Sequence, residues 1–191
     1  MWLAKVNASE GPTVEVDWQP FSLAQVNADK DAELKTWEQP GVLDGTDKTF
    51  LAHCSGLAAK RQGKEAFEAF FITLLKARHE EKADLNDPEV MKTAAGTAGL
   101  DMARFLEDQA DPDLLKEIGD SHTKGVEEHG AFGVPTFVSP GGKAAFLKMF
   151  IPPDEQAREI YDSLTKVISQ FDHVGELKRP QPPWPHEVIK G

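Results

Sequence analysis

The stretch Gly133-Val134-Pro135-Thr136-Phe137-Val138 decides the fold of this chain, because it places a proline at the start of a β-type run directly after a helical segment that ends near Gly130. Proline lacks the backbone donor and fixes φ, so within a sheet it fits the first residue of a strand, an edge or a bulge. An X-Pro bond also adopts the cis form far more readily than other peptide bonds. We therefore predict a proline-led strand here, in which Pro135 either belongs to a cis-proline loop or simply begins an edge strand.

The residues after this stretch predict a hairpin and a last helix. Ser139-Pro140-Gly141-Gly142 is strong turn chemistry, and it separates the first strand from Ala144-Ala145-Phe146-Leu147. After Pro152-Pro153-Asp154, apolar residues recur at helical spacing as far as Phe171. The proline-rich tail 176–191 is predicted to be extended.

The residues before the stretch predict one strand and a large block of helices. Val14-Glu15-Val16-Asp17-Trp18 alternates apolar and polar side chains, which favours a half-buried strand. Residues 46–129 carry helical patterns and caps for about five helices and no strand, with a first helix capped by Thr46 or Asp47. The strongest helical stripe contains Phe67, Phe70 and Phe71, which we interpret as core residues. An all-helical insertion is the economical interpretation.

Trp37 and Trp184 lie in polar or proline-rich surroundings. Each fits two interpretations equally well: a tryptophan that lines a cleft or partner surface, or one tucked against the domain.

The charge and composition of the chain limit the classes of partner and the cellular location that we expect. The chain has 21 Lys and Arg against 32 Asp and Glu, a net charge of -11, which disfavours nucleic acid and anionic membranes as partners. The first residues lack the features of a signal peptide, and no run is long and apolar enough to span a membrane. A cytoplasmic protein is expected. The one cysteine excludes an intrachain disulfide and a Cys-x-x-Cys pair within this sequence.

The candidate reactive and metal-binding residues have simpler explanations. Cys54 lies inside a predicted helix among apolar residues and is expected to pack as a small hydrophobe. His53 points about 100° away from Cys54 on a helix, so adjacency makes no Cys-His dyad. His79-Glu80-Glu81-Lys82-Ala83 lacks the second histidine of a zinc-protease motif, and the acidic run that begins at Asp29 lacks the glycine of a calcium loop. No metal site is predicted.

Several short segments, in this order, resemble the DsbA-like family that includes FrnE-type oxidoreductases and 2-hydroxychromene-2-carboxylate isomerases. The segments that carry the resemblance are Trp18-Gln19-Pro20-Phe21-Ser22-Leu23, Arg61 to Phe67, Ala77 to Glu80, Gly99-Leu100-Asp101, Gly133 to Phe137 and Glu176 to Pro180. The resemblance implies an α/β protein with a thioredoxin-like fold and a large all-helical insertion. It assigns 1–45 and 130–175 to the thioredoxin-like domain, 46–129 to the insertion and 176–191 to the tail.

The family's first strand and its Cys-x-x-Cys segment have no counterpart in this sequence. Family members begin with a strand that leads into Cys-x-x-Cys, or a serine variant, at the N-terminus of the first helix. Met1-Trp2-Leu3 resembles the middle of that helix, so we expect an upstream segment of about 20 residues. In the family, the missing strand lies between the strands near Val16 and Phe137.

The resemblance implies thiol-disulfide exchange or reduction with a low-molecular-weight thiol as co-substrate, and no tightly bound cofactor. Val134, Pro135 and Thr136 are the implied substrate-binding residues, while the catalytic residue stays unknown and this chain alone is expected to be inactive. The implied partners are a peptide or a small-molecule thiol or disulfide, with a homodimer left open. The alternatives are a glutathione-dependent isomerase or kappa-class transferase, and a non-catalytic thioredoxin-fold binding module.

Overall fold

The computed structural model describes residues 2–177, which are mostly helical: helix makes up 55% and strand 3%. The short helices before residue 46 are α1 (Trp2–Ala8), α2 (Leu23–Val26), a 3₁₀ turn η1 (Thr36–Glu38) and α3 (Pro40–Leu43). The following helices are α4 (Leu51–Arg61), α5 (Lys64–His79), α6 (Pro88–Thr97), α7 (Met102–Gln109) and α8 (Asp113–His129). The remaining elements are β1 (Thr136–Val138), β2 (Ala144–Phe146) and α9 (Asp154–Gln170).

The prediction of an α/β protein is therefore only partly right, because within residues 2–177 the sheet consists of β1 and β2 alone. The predicted strand at Val14–Trp18 is wrong: this segment has no regular secondary structure. A strand needs a neighbouring ladder to bond its backbone. Val14 instead exchanges hydrogen bonds with the side-chain amide of Asn7, its N–H donating to Oδ1 at 2.8 Å and its carbonyl accepting from Nδ2 at 3.0 Å.

Packing divides the described residues into two units. Unit 1 contains residues 2–19 and 124–177, and unit 2 contains Pro20–Thr123. The predicted domains differ from these units chiefly in where residues 20–45 belong, and their boundaries stay a prediction. The predicted tail 176–191, with Trp184 and most of the Glu176 to Pro180 segment, lies outside the described residues from 178 onward.

Unit 2 is a helical assembly with two apolar clusters. The predicted stripe on α5 supplies Phe70 and Leu74 to the first cluster, where the Phe70 ring lies 5.7 Å from that of Phe105. Phe67 and Phe71 are half-buried and stack on each other, with ring centroids 5.5 Å apart. The first cluster also contains Ala58, Ala59, Met91, Ala94, Ala95 and Leu100.

The second cluster resolves the two interpretations of Trp37. This side chain is only 8% exposed and packs with Val42, Phe50, Leu57, Leu114 and Ile118, so it is a core residue. Gly119 on α8 makes room for it, since a Cβ there would lie 2.5 Å from Trp37 Nε1. The expected start of α4 at Thr46 or Asp47 is wrong, because Asp47 Oδ1 binds Thr49 and the helix begins at Leu51.

Unit 1 contains the predicted hairpin and the last helix. β1 and β2 pair antiparallel with Phe137 opposite Ala145, and the turn closes through Ser139 N–H to the Lys143 carbonyl at 2.8 Å. Trp2 on α1 donates from Nε1 to the carbonyl of Ala157 on α9 at 3.0 Å, and its ring lies 6.1 Å from that of Phe137. These contacts join α1, the hairpin and α9. No helix in the described range is long and apolar enough to cross a membrane.

Candidate functional site

The candidate site directly follows the C-terminal end of helix α8. Helix α8 stops at His129, and Gly130 follows with φ +63°, a left-handed conformation that glycine adopts without steric cost. The N–H of Gly130 donates to Val126 at 3.0 Å, and that of Ala131 donates to Gly125 at 2.9 Å. The helix end therefore fixes where the proline loop begins.

The loop that follows contains a cis Val134–Pro135 bond and is anchored on both sides of Val134. The Thr136 hydroxyl donates to the Gly133 carbonyl at 2.7 Å, and the Pro135 carbonyl accepts from Leu147 N–H at 3.1 Å. Within residues 2–177, no hydrogen bond involves the backbone of Val134, whose side chain is 44% exposed. The loop thus presents an N–H and a carbonyl that are available to another chain.

The register of the hairpin extends this available backbone along β1. In an antiparallel pair, a residue directs both its N–H and its carbonyl to the same side. Residues 135, 137 and 139 face β2, as shown by the Pro135–Leu147 and Ser139–Lys143 bonds and by the Phe137–Ala145 pair. Residues 136 and 138 therefore face the opposite side, where no strand pairs with β1 in the described range. We call this side the open edge.

Two aromatic side chains lie beside the loop that precedes β1. Phe132 is 66% exposed, and its ring centroid lies 5.1 Å from that of Phe146 on β2. The Phe146 ring also covers Gly133, where an added Cβ would lie 3.1 Å from Cε2. An apolar surface thus borders the loop.

Cys54 does not have the features of an attacking thiol. It lies in the first half of α4, packs partly buried against the second cluster of unit 2, and burial raises the pKa of its thiol to about 11. Although Cys54 is the fourth residue of α4, a reactive cysteine needs a stabilised thiolate, and here burial opposes its ionisation. This agrees with the interpretation of Cys54 as a packing residue.

His53 and Cys54 form no dyad. The Nε2 atom of His53 lies 3.3 Å from the Phe21 carbonyl, and burial lowers the pKa of this imidazole. Its other nitrogen, Nδ1, is buried without a hydrogen-bond partner among the described residues. Within residues 2–177, no three His, Cys, Asp or Glu residues lie close enough to hold a metal ion.

The sequence pointed to Val134, Pro135 and Thr136 as site residues, and the structure places them in one loop and the start of β1. No sequence pattern pointed to Phe132, to Phe146 or to the extension of the open edge to Val138. The one feature of the sequence that could have indicated Phe146 is that it is an aromatic residue in the second strand of the predicted hairpin. Its role depends on the register, which puts it opposite Thr136.

Comparison with models of protein families matches residues 2–157 to the DSBA-like thioredoxin domain. A search of curated proteins gives no match.

Proposed function

The chain belongs to the family of DSBA-like thioredoxin domains, and from this premise we propose that it binds the substrate of a thiol-disulfide exchange at the backbone of Val134, beside the open edge. The proposed substrate is an extended peptide or a small-molecule thiol or disulfide. Val134, Pro135 and Thr136 are its proposed contacts. A cytoplasmic location and a low-molecular-weight thiol as co-substrate belong to the same proposal, and a homodimer stays open.

The observation that carries the proposal is the backbone of Val134 beside Pro135, which forms no hydrogen bond with any residue in the range 2–177. An extended peptide that lies along an exposed strand edge gains main-chain hydrogen bonds, while neighbouring side chains determine its preference. The backbone of Val134 offers a donor and an acceptor for such bonds, and Phe132 and Phe146 border the loop around Gly133 with apolar surface.

Thiol-disulfide exchange needs an attacking thiolate. The thiolate attacks one sulfur of the disulfide, and the second sulfur leaves as a thiolate. Cys54 is unsuited to this step because burial keeps it protonated at neutral pH. The chain therefore supplies the substrate-binding part of the reaction in our proposal. That an upstream segment carries Cys-x-x-Cys stays a prediction, tested by translating the reading frame upstream of Met1.

Peptide binding tests the proposed use of the backbone. We would measure the affinity of an extended, apolar peptide by fluorescence anisotropy and compare it with the same peptide N-methylated at alternate residues. N-methylation removes the donors and leaves the side chains in place. Two such peptides exist, one for each set of alternate residues, and one of them lacks the N–H groups that face the protein. We expect this peptide to bind about tenfold more weakly than the parent peptide, which corresponds to the loss of one to two hydrogen bonds. Equal affinity for both N-methylation registers and the parent peptide contradicts the proposal.

Turnover separates the binding role from catalysis. In an insulin-reduction assay with a small-molecule thiol as reductant, we expect this 191-residue chain to stay at the background rate. The Cys54→Ala variant is the matched control. Turnover that Cys54→Ala abolishes would show that Cys54 attacks the substrate and would refute our assignment.

A further inference from the structure

Three consecutive residues at the start of unit 2 are held by side chains from two helices. The carbonyl of Pro20 accepts from Ser121 Oγ on α8 at 2.8 Å, and that of Phe21 lies 3.3 Å from Nε2 of His53 on α4. The N–H of Ser22 lies 3.3 Å from Nδ1 of His122 on α8. Two of the three contacts therefore use a histidine.

The hydrogen bonds constrain where each imidazole carries its hydrogen. A carbonyl only accepts, so His53 must carry a hydrogen on Nε2, and in the neutral ring its buried Nδ1 is bare. An N–H only donates, so Nδ1 of His122 must be bare, and its hydrogen is on Nε2. The His122 contact therefore requires neutral histidine, whereas the His53 contact forms with either charge state.

We infer that the segment Pro20–Ser22 is a pH-sensitive latch, which opens when His53 and His122 take up protons. The second proton of His122 has to bind Nδ1, where it would meet the N–H of Ser22 in place of an acceptor. The second proton of His53 would enter a buried position with no acceptor among the described residues. Protonation thus removes the Ser22 contact and leaves His53 with an uncompensated buried charge.

Release would affect helix α2 directly. Ser22 is 1% exposed, and its Oγ accepts from the N–H of Gln25 at 3.0 Å as the N-cap of α2. His122 is 6% exposed, and its ring lies 4.4 Å from that of Phe21 and 5.4 Å from that of Trp37. Moving Phe21 and Ser22 would therefore remove both the cap of α2 and one wall of the histidine's pocket.

The groups around His53 and His122 determine the pH range in which the latch opens. Burial is the main cause that lowers the pKa of His122, and the charge of Lys35 lowers it further. The other charged group beside η1, Glu38, accepts from the backbone N–H of Lys35. Burial lowers the pKa of His53, an effect that the Phe21 carbonyl partly offsets, and its ring lies 5.7 Å from that of Phe50. Because both pKa values lie below 6.5 in the closed form, opening takes up protons and is favoured as the pH falls below 6.5.

Hydrogen exchange of the Ser22 amide, measured by NMR and corrected for the intrinsic rate, tests the latch. Between about pH 7.5 and pH 5.0 we expect its protection to fall by at least about tenfold, since the protonated fraction rises tenfold per pH unit above the pKa. Amides in the middle of α5 should keep their protection. Unchanged protection at Ser22, or an equal loss throughout α5, overturns the proposal.

Two variants show whether the histidines are responsible. In His122→Asn the amide oxygen keeps an acceptor near the position of Nδ1, and in His53→Gln the amide nitrogen keeps a donor near that of Nε2. The double variant should lose most of the pH dependence at Ser22, whereas His79→Gln, at an exposed site, should retain it. Equal pH dependence in the double variant and the parent chain refutes the latch. If the double variant does not fold, the ¹⁵N chemical shifts of the imidazoles in the parent chain show which ring nitrogen carries a hydrogen. A bare Nδ1 in both rings near pH 7.5 supports the latch, and a hydrogen on Nδ1 of His122 refutes it.

Discussion

Cys54 offers a quantitative test of the claim that this chain lacks an attacking thiol. Burial against the second cluster of unit 2 raises the pKa of its thiol from 9.0 to about 11. Each pKa unit changes the thiolate fraction tenfold, so at pH 7 the folded chain holds about one hundredth of the thiolate of an exposed cysteine. We therefore expect alkylation by iodoacetamide to be about a hundredfold slower in the folded chain.

The assay compares the folded chain with the same chain in guanidinium chloride, which removes the burial and leaves the cysteine in place. Because Cys54 is the only cysteine, intact mass reports its alkylation directly. The rate is measured from about pH 7 to pH 9, where it should rise tenfold per pH unit in the folded chain. A folded rate within about threefold of the unfolded rate at pH 7 would refute the reasoning, since it requires an exposed or activated thiolate.

Two further predictions concern the packing of each unit. Gly119→Ala should lower the free energy of unfolding by about 1–3 kcal/mol in urea titrations, because its Cβ would lie 2.5 Å from buried Trp37. Gly96→Ala is the control, because no atom of another helix or loop lies within 4 Å of the added Cβ. This variant should raise the free energy of unfolding by up to about 1 kcal/mol. Stabilisation by Gly119→Ala would contradict the packing. Trp2→Phe should lower the free energy of unfolding by about 1 kcal/mol, because it removes the donor to the Ala157 carbonyl; unchanged thermal and urea unfolding would mean that this bond does not contribute.

Local signals in the sequence were sufficient for the long helices, apart from the start of α4, and for the hairpin. The i, i+4 spacing of Phe70 and Leu74 predicted the buried face of α5, and the Ser139–Gly142 turn predicted the pairing of β1 with β2. Such signals depend on a few adjacent residues. They are therefore present in the sequence before any long-range contact forms.

The features that the sequence did not predict depend on residues far apart in the chain. Val14–Trp18 alternates as a strand does, yet within the described residues no strand lies beside it, and the Asn7 amide bonds to Val14 instead. Trp37 is buried because Gly119, on a distant helix, leaves space for its ring. No local pattern reports such a pairing.

The sequence predicted where the candidate site lies, but it did not predict all the residues that belong to it. Pro135 marks the loop because a proline in a strand-like run restricts where that run pairs. The outward-facing residues of β1, Thr136 and Val138, follow only from the register of β1 against β2. The turn residues predicted the hairpin, and we did not predict its register from them.

Residue-resolved hydrogen exchange with and without an extended peptide tests the open edge most directly. In the free chain, the amides of Phe137 and Ser139 should be protected by β2, while those of Val134, Thr136 and Val138 should exchange freely. Peptide binding should slow exchange at Val134 by about tenfold or more and leave Phe137 unchanged. Peptide binding with no added protection at Val134, or with equal protection at Phe137, would contradict the account.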